Sequence, residues 1–598
     1  MTTDDKDNAA NLDRLNNNIA RIEELSQRLV RAMANKRAID PHLQAPDGDV
    51  FLKAMTAYAS EMVNNPAKII EGQVAYWGKM LKHYVDAQHV LTTGRLAAPA
   101  DDTPRDPRFQ NPLWDSHPYF NFLKQNYLLT SHAIADAVEG LEGLDPQTRK
   151  KVEYFTQQIV NMMSPTNFLG TNPEALERAV ATEGESLVKG LENLVRDVEA
   201  NKGEVLVSLA DSSAFEVGGN IATSDGSVVY RNRMFELIQY APVTEQVYRT
   251  PIVLFPPWIN KFYILDLKPK NSLVKWITEQ GYTLFVVSWI NPDKSYAEVT
   301  LDDYVEEGFL TAIEQAKAIT GEKQVNAIGY CIAGTTLSLT LALMEKRKDK
   351  SIRSATLFTT LTDFSDPGEI GVFLGDDFVD AIEREVTRQG ILDKFFMTKT
   401  FSYLRSNDLV YGPAIKSYML GDTPPAFDLL FWNGDGTNLP GRMAVQYLRG
   451  LCQHNRFVEG SFEICGTAVS PADIKLPVCS IACETDHIAI ARGCYSGFQR
   501  FGSKDKTFIL SESGHIAGIV NPPSKMKYGH YTNPDLSGSF DDWRKGAERS
   551  DGSWWPRWDA WLSKRSGAKV AARQVGTMSH PSLAPAPGTY VVMRPEAA

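Results

Sequence analysis

The segment Gly329-Tyr330-Cys331-Ile332-Ala333-Gly334 limits what this chain can fold into more than any other. An apolar run, Val325-Asn326-Ala327-Ile328, precedes it and reads as a strand. Thr335 to Met344 follows and reads as a helix. Strand, sharp turn and helix, with small residues around a central cysteine, is the layout of a nucleophile elbow. Small neighbours are needed because the central residue sits in strained backbone with its side chain projecting outward. An isolated cysteine is more often a small buried apolar residue than a nucleophile. Here the flanking pattern outweighs that reading. Cysteine in the usual place of serine points to acyl transfer through an enzyme thioester. Ala333 stands where a G-x-C-x-G pattern has its second glycine, and Gly334 follows directly.

An elbow needs a base, and an acid to orient the base. In the α/β-hydrolase fold these follow in the order nucleophile, acid, histidine. Pro477 to Ala482 reads as a strand and runs into Glu484-Thr485-Asp486-His487. Thr507-Phe508-Ile509-Leu510 is the next strand and runs into Ser513-Gly514-His515-Ile516. Cys331, Asp486 and His515 thus fit both the order and the placement. One helix, Ala489 to Phe501, fits between the acid and the histidine. Asp486 is also suited to capping that helix. Glu484 is the reserve acid. His487 competes as base from the wrong loop; it reads as a substrate-contacting group, a support for the site, or a loop histidine.

Two domains are expected from 598 residues. Residues 1–212 read as mainly helical. Leu12, Leu15, Ile19, Ile22, Leu25 and Leu29 recur at helical spacing, as in an amphipathic helix or short coiled coil. A second stripe runs from Pro66 through Ile70, Val74, Trp77, Leu81 and Tyr84. Thr93 to Pro112 reads as a linker, and helix resumes over Asn121 to Leu141 and Thr148 to Met163. These stripes serve ordinary helix packing or attachment to a partner. Residues 213–598 alternate continuous apolar strands with helices, which implies a mostly parallel sheet covered on both faces. After Ala355-Thr356-Leu357-Phe358 the alternation stops, and about 363–450 reads as a helical cap or lid inserted over the site. Trp554, Trp555, Trp558 and Trp561 suit packing of a last helix, and the tail from Val575 reads as extended.

The net charge of −11 argues against a nucleic-acid partner and offers no polybasic membrane anchor. The six cysteines, at 331, 452, 465, 479, 483 and 494, form no C-x-x-C pair and no zinc set, so neither metal nor cofactor is expected. They read as reduced cytosolic thiols. Met1 to Asn11 is too acidic and polar for a signal peptide. The chain lacks an apolar run of about 18 residues, so no transmembrane helix is expected.

Longer stretches carry a family resemblance. They are Ser164-Pro165-Thr166-Asn167-Phe168-Leu169, Thr171-Asn172-Pro173-Glu174, and Pro256-Pro257-Trp258-Ile259-Asn260-Lys261-Phe262-Tyr263-Ile264-Leu265-Asp266. Phe431-Trp432-Asn433-Gly434-Asp435, Ser513-Gly514-His515-Ile516-Ala517-Gly518 and Gly552-Ser553-Trp554-Trp555-Pro556 continue it. From about Asn111 to Trp561 the chain resembles the class I polyhydroxyalkanoate synthases, bacterial enzymes that polymerise 3-hydroxyacyl-CoA. The family's catalytic Cys, Asp and His fall on Cys331, Asp486 and His515. Ala333, and Ile490-Ala491 in place of a Pro-Trp pair, depart from the family near the site. The resemblance implies an α/β-hydrolase fold with a cap, preceded by a helical domain. It implies polymerisation of (R)-3-hydroxyacyl-CoA, with a growing polyester chain and a granule surface as partners. A homodimer and a cytoplasmic, granule-associated location complete the expectation.

The chemistry can be followed from the residues. His515 takes the thiol proton and Asp486 orients the imidazole. The thiolate attacks the substrate thioester. The Ile332 backbone N–H, with Trp258, Ile259 and Asn260 after an earlier strand, is placed to meet the oxyanion. Competing readings are a thioesterase or polyester depolymerase on the same fold, and a non-catalytic granule-coat protein.

Overall fold

The computed structural model describes residues 3–34, 43, 54–57, 60, 74, 76–82, 84–85 and 106–595. They fall into two compact units. The first is Met1–Asp211 together with Lys399–Pro425; the second is Ser212–Thr398 together with Ala426–Ala598. The region expected to form one cap is therefore divided, and residues 399–425 belong to the compact unit of the N-terminal helices.

In the first unit a long helix, Thr3–Ala34, lies against Glu185–Ala200. Leu25 is buried between Val188 and Val195, with Ile22, Leu29 and Leu191 alongside. Arg21 pairs with Glu192 and Arg28 with Glu199 at the rim. The other flank of Glu185–Ala200 packs on Ile415–Met419. A Cβ at Gly190 would sit 2.0 Å from the Tyr418 carbonyl oxygen, so only glycine allows that approach. Asn193 donates to the Ser417 carbonyl, and the Tyr418 hydroxyl to Asp197. Helices Pro118–Glu139 and Pro146–Met162 match the expected spans closely. Of the stripe beginning at Pro66, residues 74, 76–82 and 84–85 are helical and the rest lie outside the described residues. So does the expected linker as far as residue 105.

The second unit is built on an eleven-stranded sheet. Numbered in chain order, its strands are β1 (Gly226–Arg231), β2 (Phe235–Tyr240), β3 (Ile252–Phe255), β4 (Leu284–Trp289), β5 (Val325–Tyr330) and β6 (Ile352–Phe358). They continue with β7 (Val478–Cys483), β8 (Lys506–Ser511), β9 (His530–Thr532), β10 (Glu548–Ser550) and β11 (Ala584–Pro585). The order across the sheet is β10-β9-β8-β7-β6-β5-β3-β4-β2-β1-β11. The six central strands, β8 to β4 in that order, run parallel, and the flanking ones are antiparallel. Strands β2 to β5 are buried along their whole length, as expected of continuous apolar runs between helical layers. The tryptophans expected to pack the last helix do so: Trp554, Trp555 and Trp558 are fully buried in the main core.

Three registers set up the site. Tyr330 pairs with Phe358 across β5 and β6, and Ile481 pairs with the same Phe358 across β7 and β6. Cys483 pairs with Ser511 across β7 and β8. The carboxyl ends of β5, β7 and β8 therefore lie along one edge, where open parallel sheets place their ligands.

Candidate active site

Cys331 follows β5 directly and precedes the helix Ile332–Lys346, which starts three residues earlier than the sequence pattern suggests. Its backbone has φ 53 and ψ −123, a strained conformation for a residue with a side chain. The strain is held in place by packing. The Cys331 N–H donates to the Phe358 carbonyl at 2.8 Å, and its own carbonyl accepts from Gly334 at 2.8 Å. A Cβ at Gly329 would lie 2.6 Å from the Gly334 Cα, and one at Gly334 would lie 2.0 Å from Thr360 Oγ1. The two glycines that must stay bare are thus Gly329 and Gly334. Ala333, the apparent departure, is accommodated and fully buried.

Asp486 and His515 meet. His515 Nδ1 lies 2.6 Å from Asp486 Oδ2, with both side chains buried. The second carboxylate oxygen accepts the N–H groups of Ile488 at 2.8 Å and Ala489 at 3.0 Å. The helix that follows has Ile490 as its N-cap with no side-chain bond, so the capping expected of Asp486 is not realised; Asp486 divides its two oxygens between the loop and the ring. It shapes the loop ahead of the helix Ala491–Gln499 and also orients the histidine. Thr485 N–H donates to the Ser513 carbonyl at 3.0 Å, which ties the acid loop to the histidine loop.

The histidine loop is also pinned from below. Trp554 Nε1 donates to the Gly518 carbonyl and Trp555 Nε1 to that of Ile519. Tyr330, the residue before the cysteine, stacks its ring on His515 with centroids 5.7 Å apart and donates its hydroxyl to the His515 carbonyl.

Burial disfavours charging the His515 ring, yet the Asp486 carboxylate and the Cys331 thiol outweigh it and hold its pKa well above the ordinary histidine value. Cys331 is thus a neighbour of a histidine whose protonated form is stabilised. Cys331 is partly exposed, whereas Cys452, Cys479, Cys483 and Cys494 are buried. Burial raises the thiol pKa of all four. Glu484, the reserve acid, is paired with Arg544 at 2.9 Å.

Trp258, Ile259 and Asn260 follow β3 and lie beside the elbow. Trp258 Nε1 donates to Thr336 Oγ1, one turn into the helix that Cys331 opens. Its ring packs edge-on to Tyr447. The carbonyls of Trp258 and Ile259 accept from Thr437, and Asn260 bridges to Gly436. The loop is therefore stitched to residues 432–437. Ile332 opens the helix with its N–H at the positive end of the helix dipole. His487 is half-buried in the acid loop. Tyr330, Thr360 and Tyr447 were not singled out from sequence. Tyr330 adjoins Cys331 in the chain, whereas Thr360 and Tyr447 come from segments distant in it.

Comparison with known proteins agrees with this fold. A family model described as the N-terminus of poly-beta-hydroxybutyrate polymerase matches residues 105–277, and the α/β hydrolase fold model matches residues 251–522. A poly(3-hydroxyalkanoate) polymerase subunit PhaC from Cupriavidus necator is 42% identical over 81% of this chain and 83% of its own length. One from Rhizobium etli is 38% identical over 94% and 88%. The poly(3-hydroxyalkanoate) polymerase of Methylorubrum extorquens is 39% identical over 92% and 91%. Relatives this similar over nearly their whole length leave one assignment: this chain belongs to the poly(3-hydroxyalkanoate) polymerase family.

Proposed function

We propose that the chain polymerises (R)-3-hydroxyacyl-CoA, short-chain units such as 3-hydroxybutyryl-CoA among them, through an acyl group carried on Cys331. As a member of its family it is an acyltransferase that makes polyhydroxyalkanoate. The observation that carries the covalent reading is the strained, partly exposed Cys331 set against the buried Asp486–His515 pair.

In the first step His515 takes the thiol proton and the Cys331 sulfur attacks the thioester carbonyl. The oxyanion is met by the Ile332 N–H and by a backbone N–H of the Trp258–Ile259 turn. The tetrahedral adduct collapses, the C–S bond to CoA breaks, and the CoA thiolate leaves with the proton from His515. One thioester is exchanged for another, so the acyl group stays reactive. In the second step the 3-hydroxyl of another unit gives its proton to His515 and attacks the acyl carbonyl. An ester forms and the Cys331 thiolate is released. Asp486 matters more here, because an alcohol is far less acidic than a thiol and needs a better oriented base.

A hydrolytic reading puts water in place of the 3-hydroxyl. The helical residues between Asp363 and Gly450 that belong to the second unit are proposed to keep water out. The first unit is proposed to serve association, as a dimer and at the surface of polymer granules in the cytoplasm. Its exposed Ile159, Met162, Met163, Phe168 and Leu169 support this reading. Among the described residues no helix is long and apolar enough to cross a membrane.

The test is incubation of purified protein with 3-hydroxybutyryl-CoA, following CoA release and turbidity together. CoA release with polymer is expected. Cys331→Ala and His515→Gln should each lower release by at least about a thousandfold while the far-ultraviolet spectrum is kept. Release with only free 3-hydroxybutyrate would make the chain a thioesterase. Full turnover by Cys331→Ala would remove the acyl-cysteine.

A further inference from the structure

The loop bearing Trp258, Ile259 and Asn260 ends on Lys261, which the mechanism leaves without a task. Lys261 is only 3% exposed. Among the described residues its Nζ makes one hydrogen bond, 3.4 Å long, to the carbonyl of Tyr590. Burial pushes its pKa down to about 8, with Asp435 pulling upward and Lys394 and Arg594 adding to the fall. A buried amine with so little compensation is expensive, and it is retained here in a stretch that touches the elbow.

Tyr590 belongs to a strap made by the last described residues. Leu583 N–H donates to the Val228 carbonyl and Ala586 N–H to that of Gly226, so the strap starts as β11 on the sheet edge. It then crosses Glu236, a fully buried carboxylate on β2. Glu236 Oε2 accepts the backbone N–H groups of Thr589 at 2.8 Å and Tyr590 at 2.9 Å. Its Oε1 accepts the Thr589 hydroxyl at 2.8 Å and Arg231 Nε at 2.8 Å. Gly588 passes so close that a Cβ there would lie 2.3 Å from Glu236 Oε2, and its φ of +82 also favours glycine. The Tyr590 hydroxyl donates to the Asn232 carbonyl, and Val591 is buried in the main core. Beyond it, the Met593 carbonyl accepts from Asn291 Nδ2 at 3.4 Å. The Asn291 side-chain oxygen in turn accepts the N–H of Asn438, the residue after Thr437. The strap thus reaches the loop directly through Lys261, and indirectly through Asn291, Asn438 and Thr437.

We propose that Lys261 is a positioning residue for acylation, holding the Trp258–Lys261 loop in place by its grip on a C-terminal strap that Glu236 latches. The strap is then part of the assembly of the active site, although it touches none of the reacting atoms. This rests on the reading that the loop supplies an oxyanion donor.

The test uses the full chain with 3-hydroxybutyryl-CoA. It measures kcat and KM for CoA release, and hydrogen exchange over residues 583–593. Lys261→Met keeps the length of the side chain and loses the ammonium. It should lower kcat about tenfold or more with KM within about twofold, and leave strap exchange as in the wild type. Gly588→Ala should speed strap exchange and lower kcat to a similar degree. The double variant should lose no more than the worse single one, because both act through one contact.

Wild-type kcat in Lys261→Met would overturn the inference. So would a fast-exchanging strap with wild-type kcat, unchanged exchange in Gly588→Ala, or losses that multiply. If Lys261→Met loosens the whole sheet, Gly588→Ala alone decides. A wild-type chain that releases no CoA overturns the acylation reading and this inference together; an active wild type beside an unimpaired Lys261→Met overturns the inference only.

Discussion

The backbone geometry at Cys331 depends on neighbours that have no chemistry of their own. Gly334 is the clearest, since its missing Cβ leaves room for Thr360, whose hydroxyl bonds the Phe358 carbonyl beside the Cys331 N–H. Gly334→Ala should lower stability by about 3 kcal/mol through overpacking, and lower kcat with it. Gly334→Ala combined with Thr360→Ala should regain part of both; denaturant midpoints and CoA release measure the two effects. No loss in the single variant would mean that the elbow tolerates movement. The placement of Cys331, Asp486 and His515 after three strands was legible because strands announce themselves as apolar runs. The need for Gly334 rather than a glycine at position 333 was not legible. It comes from Thr360, which reaches the elbow only because β6 pairs with β5.

Between the elements, the helical insertion is held at its base by one carboxylate. Asp363 opens the region and Asn455 closes it: Asn455 Nδ2 donates to Asp363 Oδ1 at 2.8 Å, and Phe364 N–H to Asn455 Oδ1 at 3.0 Å. Arg500 Nε, Ser496 Oγ and the Ser365 N–H also donate to the carboxylate. Burial alone would raise the Asp363 pKa, but the donors from Ser365, Asn455 and Arg500 prevail and hold it at about 2. A carboxyl depressed in the folded state adds stability that is present above its unfolded pKa and lost as pH falls through its folded one. Asp363→Asn should therefore cost about 2 kcal/mol at neutral pH. The gap from wild type should stay constant down to about pH 5 and close as pH falls toward about 2. Unfolding midpoints across that range test it, and a gap that widens in acid would contradict the assignment. At this scale the central parallel strands were readable from their apolar runs. The π-helical turns Tyr304–Leu310 and Tyr447–Gln453 were not, since their side-chain pattern differs little from that of an α-helix. The composition of the tail suits an extended segment but gives no sign of the buried Glu236 that it covers.

For the molecule as a whole, the division between units could not be placed from composition. Residues 399–425 look like the rest of the insertion, yet Gly190 and Asn193 receive them in the N-terminal unit. The proposed association surface is therefore better tested on the full chain than by truncation, which would strip residues 399–425 of their packing. Met163→Gln with Phe168→Gln should reduce adsorption to amorphous polyhydroxybutyrate about fivefold while leaving CoA release from soluble substrate unchanged. Unchanged adsorption would sink the role given to that surface. The central claim, polymerisation through an acyl-Cys331 with His515 and Asp486 as its proton machinery, has a more direct test. Asp486→Asn is mixed with 3-hydroxybutyryl-CoA, quenched within milliseconds to minutes, and digested, and the Cys331 peptide is weighed while CoA is counted. The account predicts about one CoA per active site in a rapid phase, a matching 3-hydroxybutyryl adduct on the Cys331 peptide, and then very slow elongation. An unmodified Cys331 peptide alongside continued CoA release and polymer growth would contradict it.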